Sequence, residues 1–581
     1  MAEPRIIVVG GGLAGLMTTI KIAEAGVPVD VFSVVPVKRS HSVCAQGGIN
    51  AAVNWKGEGD SPARHFDDSI YGGDFLADQP PVMAMCEAGP GIIFLLDRMG
   101  VAFNRTPEGL LDFRRFGGTF YNRTAFAGAT TGQQLLYALD EQVRRHEAAG
   151  LVRKHEMWEF CAALLDEAGR CRGIVALDLR SMEVHAFPAS AVMLATGGPG
   201  IVFGKSTNSQ VNTGSAASAV YQQGAYYANG EFIQVHPTAI PGPDKLRLIS
   251  ESIRGEGGRV WVPRDGKPWY FLEEWYPAYG NLVPRDIATR AIFKVVFEMG
   301  LGVDGQPMVY LDVSHLDPHM LERKVGGVLE IYEKFVGDDP RKVPMKIFPG
   351  MHYSMGGLWV DYSHMTNLPG LFAAGEVDHQ YHGANRLGAN SLLSCLYSGM
   401  VAGPAMVRWA TSGPAPEANG LGAREARRHA EAYARVMKMD GPENAYVLAR
   451  EMGEWMTTNV TVIRDNKKLL ETDRKLCELR DRWGRIGLSD RGRWANHEVA
   501  FVRQLWNMLE LARVITLGAA RRNESRGAHY KPEFPDRDDA NWLTTTKARW
   551  TSDGPEFTYD PVDVSLIPLR PRKYDVASEA T

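Results

Sequence analysis

Two hydrophobic patterns alternate along the chain. Ile6–Val9 is an unbroken apolar run, as expected of a strand buried on both faces of a parallel sheet. After Gly10-Gly11-Gly12-Leu13-Ala14-Gly15, apolar residues recur at helical spacing (Leu16, Ile20, Ala23) over residues 16–25, Gly26 supplies a stop, and residues 29–32 predict a second strand. Helical periodicity returns at 82–86 and 92–99, and residues 131–145 place Leu135, Leu136, Leu139 and Val143 on one face. Residues 192–198 predict another buried strand ending in small residues. Strand signals at 260–262 and 308–311 and a helical pattern at 321–335 lie between Pro237 and Pro349. They predict an inserted lid bounded by glycine and proline hinges, Pro349-Gly350 being the second. Residues 371–376 are a strand running into a glycine turn with an acid. After a Pro- and Gly-rich break at 413–422, four helices are predicted at 424–439, 444–457, 464–483 and 494–522, packed antiparallel. From Thr551 periodicity fades, and the tail is expected to wrap a neighbour.

At 581 residues the chain exceeds what one core supports, so about two to four domains are expected. The 45% hydrophobic content is ordinary, and a formal net charge of -4 gives none of the basic footprint that nucleic-acid binding needs. Cys44, Cys86, Cys161, Cys171, Cys395 and Cys477 include no Cys-x-x-Cys pair and no regular spacing. A disulfide framework and a zinc or iron–sulfur site are therefore not expected, and no metal is assigned. The first apolar strand begins too early to leave room for a secretory signal, and no run of 18 apolar residues exists to span a bilayer.

The Gly-rich turn satisfies G-x-G-x-x-G between a strand and a helix. There the glycines permit a tight turn, approach of a pyrophosphate to Gly10, Gly12, Leu13, Ala14 and Gly15, and close helix packing. The end of the second strand, where an acid usually grips the ribose, holds Ser33. A nicotinamide enzyme would go on to further strand–helix units. Here the chain enters Arg39-Ser40-His41-Ser42-Val-Cys-Ala-Gln46-Gly47-Gly48, whose glycines admit close approach of a flat group. That points to a flavin.

The stretch RSHSVCAQGGINAA closely resembles the flavoprotein subunit of succinate dehydrogenase and fumarate reductase, the catalytic subunit of respiratory complex II. Later segments resemble it in the same order: Q-x-H-P-T at 234–238, S-E-S-I-R-G-E-G-G at 250–258, R-D-x-x-x-R at 285–290, H-Y-x-M-G-G at 352–357, G-A-N-R-L-G-x-N-S-L at 383–392, and R-x-E-S-R-G-A-H-Y at 522–530. The resemblance implies an α/β, Rossmann-like FAD-binding domain (1–237 with 350–412), an inserted α+β capping domain (238–349), a C-terminal helical domain (423–540) and a small tail domain (541–581). It implies FAD joined covalently to His41, with Ala195, Thr196, Gly197, Glu376, Arg386, Ser391 and Leu392 among its contacts. The helix opened by 390–392 would aim its dipole at the flavin.

The same resemblance implies that His236, Ser250, His352 and Arg386 hold the two carboxylates of succinate or fumarate, Arg386 in bidentate fashion. It makes Arg285 the proton carrier with Glu251 and Arg254 beside it. A guanidinium is a weak base at its ordinary pKa, so the role requires Arg254, Arg285 and Arg386 crowded round one small site and Glu251 placed to relay the proton. Ser250 stands where the family has Thr, and Ser252 where it has Gly. Lacking a cysteine cluster, the chain is expected to pass electrons to an iron–sulfur subunit and on to a membrane cytochrome b or anchor subunit that reduces quinone. It would be peripheral on the cytoplasmic face of a bacterial membrane and closest to the menaquinone-linked type. Fumarate reduction by the same site in reverse is the alternative. L-Aspartate oxidase, which lacks the histidyl flavin link, and a non-catalytic assembly subunit are more remote.

Overall fold

The structure is a computed structural model that describes residues 4–242, 245–413 and 420–574; most of the expected break at 413–422 lies outside the described residues. Strand β1 (Ile6–Val9) is buried throughout, as its apolar run requires. Helix α1 (Leu13–Glu24) begins three residues before the predicted start, because the Ser42 hydroxyl accepts the otherwise unpaired Leu13 N–H. Then come β2 (Val29–Ser33), α2 (Pro62–Gly72), α3 (Gln79–Arg98), α4 (Thr131–Ala148), β3 (Val152–Glu156) and β4 (Ala191–Leu194). Ser61 caps α2 by accepting from Arg64 N–H at 3.2 Å, with Pro62 at the first helical position. The two helical patterns at 82–86 and 92–99 form one helix, α3, which runs through Pro90.

Next come β5 (Ile233–Ile240), α5 (Arg285–Phe293), α6 (Pro318–Val336) and β6 (Met345–Ser354), then β7 (Leu371–Ala373) and α7 (Asn390–Ser412). The main sheet is parallel, in the order β7-β4-β1-β2-β3, so β4 finds its edge partner only after the chain has passed through the lid segment. Residues from Ile240 to Ile347 share a separate hydrophobic core built from α5, α6 and strands at Arg259–Arg264 and Val309–Asp312.

The expected hinges at Pro237 and Pro349 are not breaks in the backbone. Both prolines lie inside paired strands, with His236 opposite Gly350 and Ala239 opposite Phe348. Two residues, Pro237 and Thr238, thus face one, Pro349, in a β-bulge. A proline has no N–H to give to a ladder, so the unpaired positions of a bulge are where it is tolerated. The lid is carried on a bent two-stranded ribbon.

Helices α8 (Leu421–Val436), α9 (Ala445–Val460), α10 (Asn466–Trp483) and α11 (His497–Arg521) follow, then the antiparallel pair β8 (Thr544–Arg549) and β9 (Glu556–Pro561). The charge run at 522–530, a composition usually found on solvated faces, is internal. Arg522, Glu524 and Arg526 are almost wholly buried. Glu524 accepts from Arg522 at 2.7 Å and from Arg526 at 2.9 Å, and Arg522 also reaches Glu231 at 2.8 Å. The described part of the tail lies along its own chain, where Arg570 and Arg572 find carboxylates at Asp67 and Asp286. Among the described residues no helix is long and apolar enough to cross a membrane.

Candidate active site

A cavity of about 600 Å³ opens at the carboxyl ends of β1, β2 and β4, where open α/β sheets place ligands. Gly10, Gly12, Leu13, Ala14, Ser33, Ser40, His41, Ser42, Ala195, Thr196, Gly197 and Glu376 line it. Gly10 holds φ +117°, and a Cβ there would lie 2.1 Å from the Ala195 carbonyl oxygen, so only glycine lets the two loops meet. Thr196 Oγ1, Asn212 Nδ2 and one oxygen of Glu159, all on lining residues, are buried without partners. With the N-terminus of α1 at the same place, these orphaned groups fit a long polar cofactor carrying a pyrophosphate.

Gly15, Gln46, Gly47, Gly48, Arg386, Ser391 and Leu392 do not line this cavity. Arg114 binds the carbonyls of Gln46 and Gly47. A Cβ on Gly47 would lie 2.9 Å from the Phe116 ring and 3.8 Å from the Ser250 hydroxyl, which sets this loop beside the second half of the site. Ser391 and Leu392 open α7 directly after Asn390, whose side chain is fixed by Asn50 at 2.8 Å and His65 at 2.9 Å.

His41 sits in a short 3₁₀ turn. Its Nδ1 accepts from the Ser209 N–H at 3.1 Å, and its Nε2 is 3.2 Å from the Asn208 amide, which also donates to the His352 carbonyl at 3.2 Å. Burial, helped by the charge of Lys245, lowers its pKa to about 4, so the imidazole is neutral and nucleophilic at pH 7. Asn208 and Ser209 escaped the sequence reading, because a small polar loop offers no distinguishing pattern. Glu376 accepts from the Ser354 N–H at 3.0 Å, and burial raises its pKa to about 7 against the pull of that bond and of Arg386.

Next to this cavity the sequence candidates from three motifs converge. Arg285, the first residue of α5, donates from Nε to Glu251 at 2.8 Å and from a terminal nitrogen to Gln234 at 2.9 Å. Glu251 also accepts from the Gly117 N–H at 2.9 Å and lies 3.4 Å from Arg254. Burial alone would raise the Glu251 carboxyl, but Arg285 and Arg254 outweigh it and hold the group below its usual range. Arg254 is lowered by burial, opposed by Glu251 and reinforced by Arg285, and its Nε and one terminal nitrogen have no hydrogen-bond partner. Arg386 lies over the Tyr353 ring at 4.4 Å with Nε unpartnered, and burial and Arg285 lower it to about 9.

The rings of His236 and His352 stand 5.0 Å apart. Burial, then the nearby arginines, push both well below the ordinary histidine pKa, so both are neutral. Thr207 orients His352 at 2.7 Å. The Ser250 hydroxyl accepts from the Ser252 hydroxyl at 2.9 Å, so the serine that replaces the family's glycine is absorbed as a support for Ser250. Gln234 is a residue the reading passed over, although its motif was visible: its amide bonds the Arg386 carbonyl at 2.7 Å and its oxygen takes Arg285, joining the two arginines.

A dinucleotide cavity that adjoins a pocket of buried, partly unpaired guanidiniums and neutral imidazoles defines a flavoprotein oxidoreductase for small anionic substrates. The FAD binding domain family matches residues 5–392, and the fumarate reductase flavoprotein C-terminal family matches residues 449–574. The chain is 68% identical over 579 residues to the succinate dehydrogenase flavoprotein subunit of Bacillus subtilis (strain 168), with 99% of each covered. It is 32% identical over 595 residues to the fumarate reductase flavoprotein subunit of Haemophilus influenzae, covering 99% of this chain and 97% of that one. A solved E. coli quinol fumarate reductase FrdA variant superimposes with a TM-score of 0.92 at 31% identity, covering 100% of this chain and 99% of that one. The chain belongs to the succinate dehydrogenase and fumarate reductase flavoprotein family and binds FAD.

Proposed function

We propose that this chain is the flavoprotein subunit of a succinate:quinone oxidoreductase and oxidises succinate to fumarate with FAD joined to His41. One observation carries the reading. Arg285 touches Glu251 at 2.8 Å within a pocket that also holds Arg254, Arg386, His236, His352 and Ser250, beside a cavity fitted for the cofactor. FAD bound there supplies a two-electron acceptor. Ser250 and His236 hold one carboxylate of succinate, and His352 and Arg386 hold the other. The neutral imidazoles donate hydrogen bonds, and the guanidinium gives a charged fork. Succinate loses a hydride from one central carbon and a proton from the other; Arg285 takes the proton, Glu251 relays it, and fumarate leaves. The capping segment 238–349, carried on its bent ribbon, closes over the substrate and excludes water.

His41 is the attachment point. Ser209 at its Nδ1 and Asn208 at its Nε2 fix the plane of the ring that a ring nitrogen must present to the flavin. A covalent link prevents loss of the cofactor and raises its reduction potential, which oxidation of an unactivated C–C bond requires. Electrons leave to a separate iron–sulfur subunit and reach quinone through a membrane anchor subunit, so the chain is peripheral on the cytoplasmic face of the membrane. With the potentials of the partners reversed, the same residues reduce fumarate, as the names of several relatives attest for those proteins. The test is to denature the purified complex, look for flavin fluorescence on this chain in a gel, and weigh the tryptic peptide 40–56. The expected result is FAD mass on His41. Chain matured with its partners but carrying no bound flavin would remove His41 from the reading.

A further inference from the structure

The end of the described tail does something the site described above does not account for. After β9 the chain runs as a strap. It is first fixed to the flavin-binding part: the Gln79 side chain accepts from the N–H groups of Leu566 at 2.7 Å and Ile567 at 2.8 Å and donates to the Ile567 carbonyl at 2.9 Å. Arg570 makes a two-pronged ion pair with Asp67 on α2, and the Tyr71 hydroxyl donates to the Lys573 carbonyl at 2.9 Å. Then the strap crosses to the lid. Arg572 forks onto both oxygens of Asp286 at 2.5 and 2.9 Å, and the Tyr574 ring packs between Tyr71 at 5.5 Å and Tyr279 of the lid at 5.1 Å.

Asp286 is the second residue of α5, and the first is Arg285. Both partners of the Asp286–Arg572 pair are buried, with side chains 2% and 6% exposed, which excludes the solvent screening that makes surface pairs weak. Asp286 also accepts from Arg290 one turn on, at 3.0 Å. The first turn of α5 is therefore gripped from the strap on one side, while the Arg285 side chain reaches into the site on the other. The strap spans the two bodies whose relative position sets where Arg285 stands.

We propose that Arg572 is a positioning residue. Through Asp286 it holds the first turn of α5 in register, so that Arg285 meets Glu251 and Gln234 at hydrogen-bond distance when substrate is bound. The inference rests on the reading of Arg285 as the proton carrier. Misplacing a reacting group by about 1 Å costs up to about a hundredfold in rate. Releasing one of the two grips on this turn is expected to cost part of that.

The test uses the intact complex, with rates counted per bound flavin. In Arg572→Ala, kcat for succinate should fall about tenfold, and the solvent deuterium isotope effect on kcat should rise, because proton transfer becomes slower than the steps that hid it. Arg572→Lys, which keeps a charge opposite Asp286, should recover part of both. Asp286→Asn should reproduce the loss, and the double variant should cost no more than either single one, as for two groups acting through one contact. A merely structural role would lower the yield of flavin-loaded complex and leave the per-flavin isotope effect where it was. If Arg572→Ala folds poorly, Asp286→Asn carries the same measurement. Parental kcat and isotope effect in both variants, with Arg285→Lys inactive, would overturn the strap and leave Arg285 standing. Full turnover by Arg285→Lys would overturn the proton-carrier reading and this inference with it.

Discussion

At the scale of single residues the site is made by withholding water. His41, His236 and His352 are neutral because burial denies them the proton, while Glu251 keeps its charge only because Arg285 and Arg254 flank it. Glu376 has no such partner at hydrogen-bond distance, and its pKa rises from 4.5 to about 7. The sign of the consequence follows. Between these values the folded chain holds a proton that the unfolded chain has released, so stability falls as pH rises through that window. Asp378 and Glu159, also raised to about 7 by burial, add to the same slope. The buried histidines act with the opposite sign, being neutral in the fold where unfolded histidines are charged. The carboxyl's share is therefore read by difference: relative to the parent, flavin-free Glu376→Gln should gain thermal stability at about pH 7.5 compared with about pH 5. A slope unchanged by the substitution would place the titration elsewhere. The sequence showed the chemistry-bearing residues at this scale because motifs keep them in fixed order. It hid Asn208 and Ser209, whose roles depend on what folds against them from more than 140 residues away.

At the scale of elements, apolar runs and helical periods located most strands and helices, since burial on one or both faces leaves a repeating mark. Ends were harder. The start of α1 depends on Ser42, a residue in another loop. Helix α6 shows the opposite case, with its stop signs in its own sequence: Asp317 caps it by accepting from the N–H groups of His319 and Met320, Pro318 takes the first position, and Gly337 ends it at φ +94°. Asp317→Ala should destabilise the lid by about 1 kcal/mol, read as a lower denaturation midpoint with kcat per flavin unchanged. A cost near zero would mean that the lid core alone holds α6. The ribbon β5–β6 shows why the prolines do not end the strands they lie in. In a local reading a proline breaks a strand, whereas in a pair of strands it can occupy the one place where the ladder is already broken.

At the scale of the whole molecule, charge was the least legible property. The run 522–530 looks like a solvated face, yet it forms a buried junction in which Arg526 donates to the Asp74 carbonyl at 2.9 Å and Gly527 N–H donates to the Asp74 carboxylate at 2.9 Å. Composition cannot distinguish a solvated charge from one paired inside, because pairing is a long-range fact. Removing one member of a buried network costs far more than removing a surface pair. Glu524→Gln, which removes the charge that Arg522 and Arg526 share and sets an amide NH2 against the Asp538 N–H, should lower stability by about 3–5 kcal/mol in denaturant unfolding. A loss under about 1 kcal/mol would show that Glu231 and Asp539 carry the arginines without it. The pairing of β4 with β7 has a different kind of consequence, in time rather than in space. The sheet that receives the cofactor lacks an edge strand and the helix behind it until residues 371–412 have been made, and these come after the whole lid. On a chain that emerges from its N-terminus, the glycine-rich turn is among the first parts to appear and must wait for most of the protein before it has a complete floor. Flavin capture is thus a late event in the life of each molecule, and it tests whether the lid and the second half of the sheet have already been assembled.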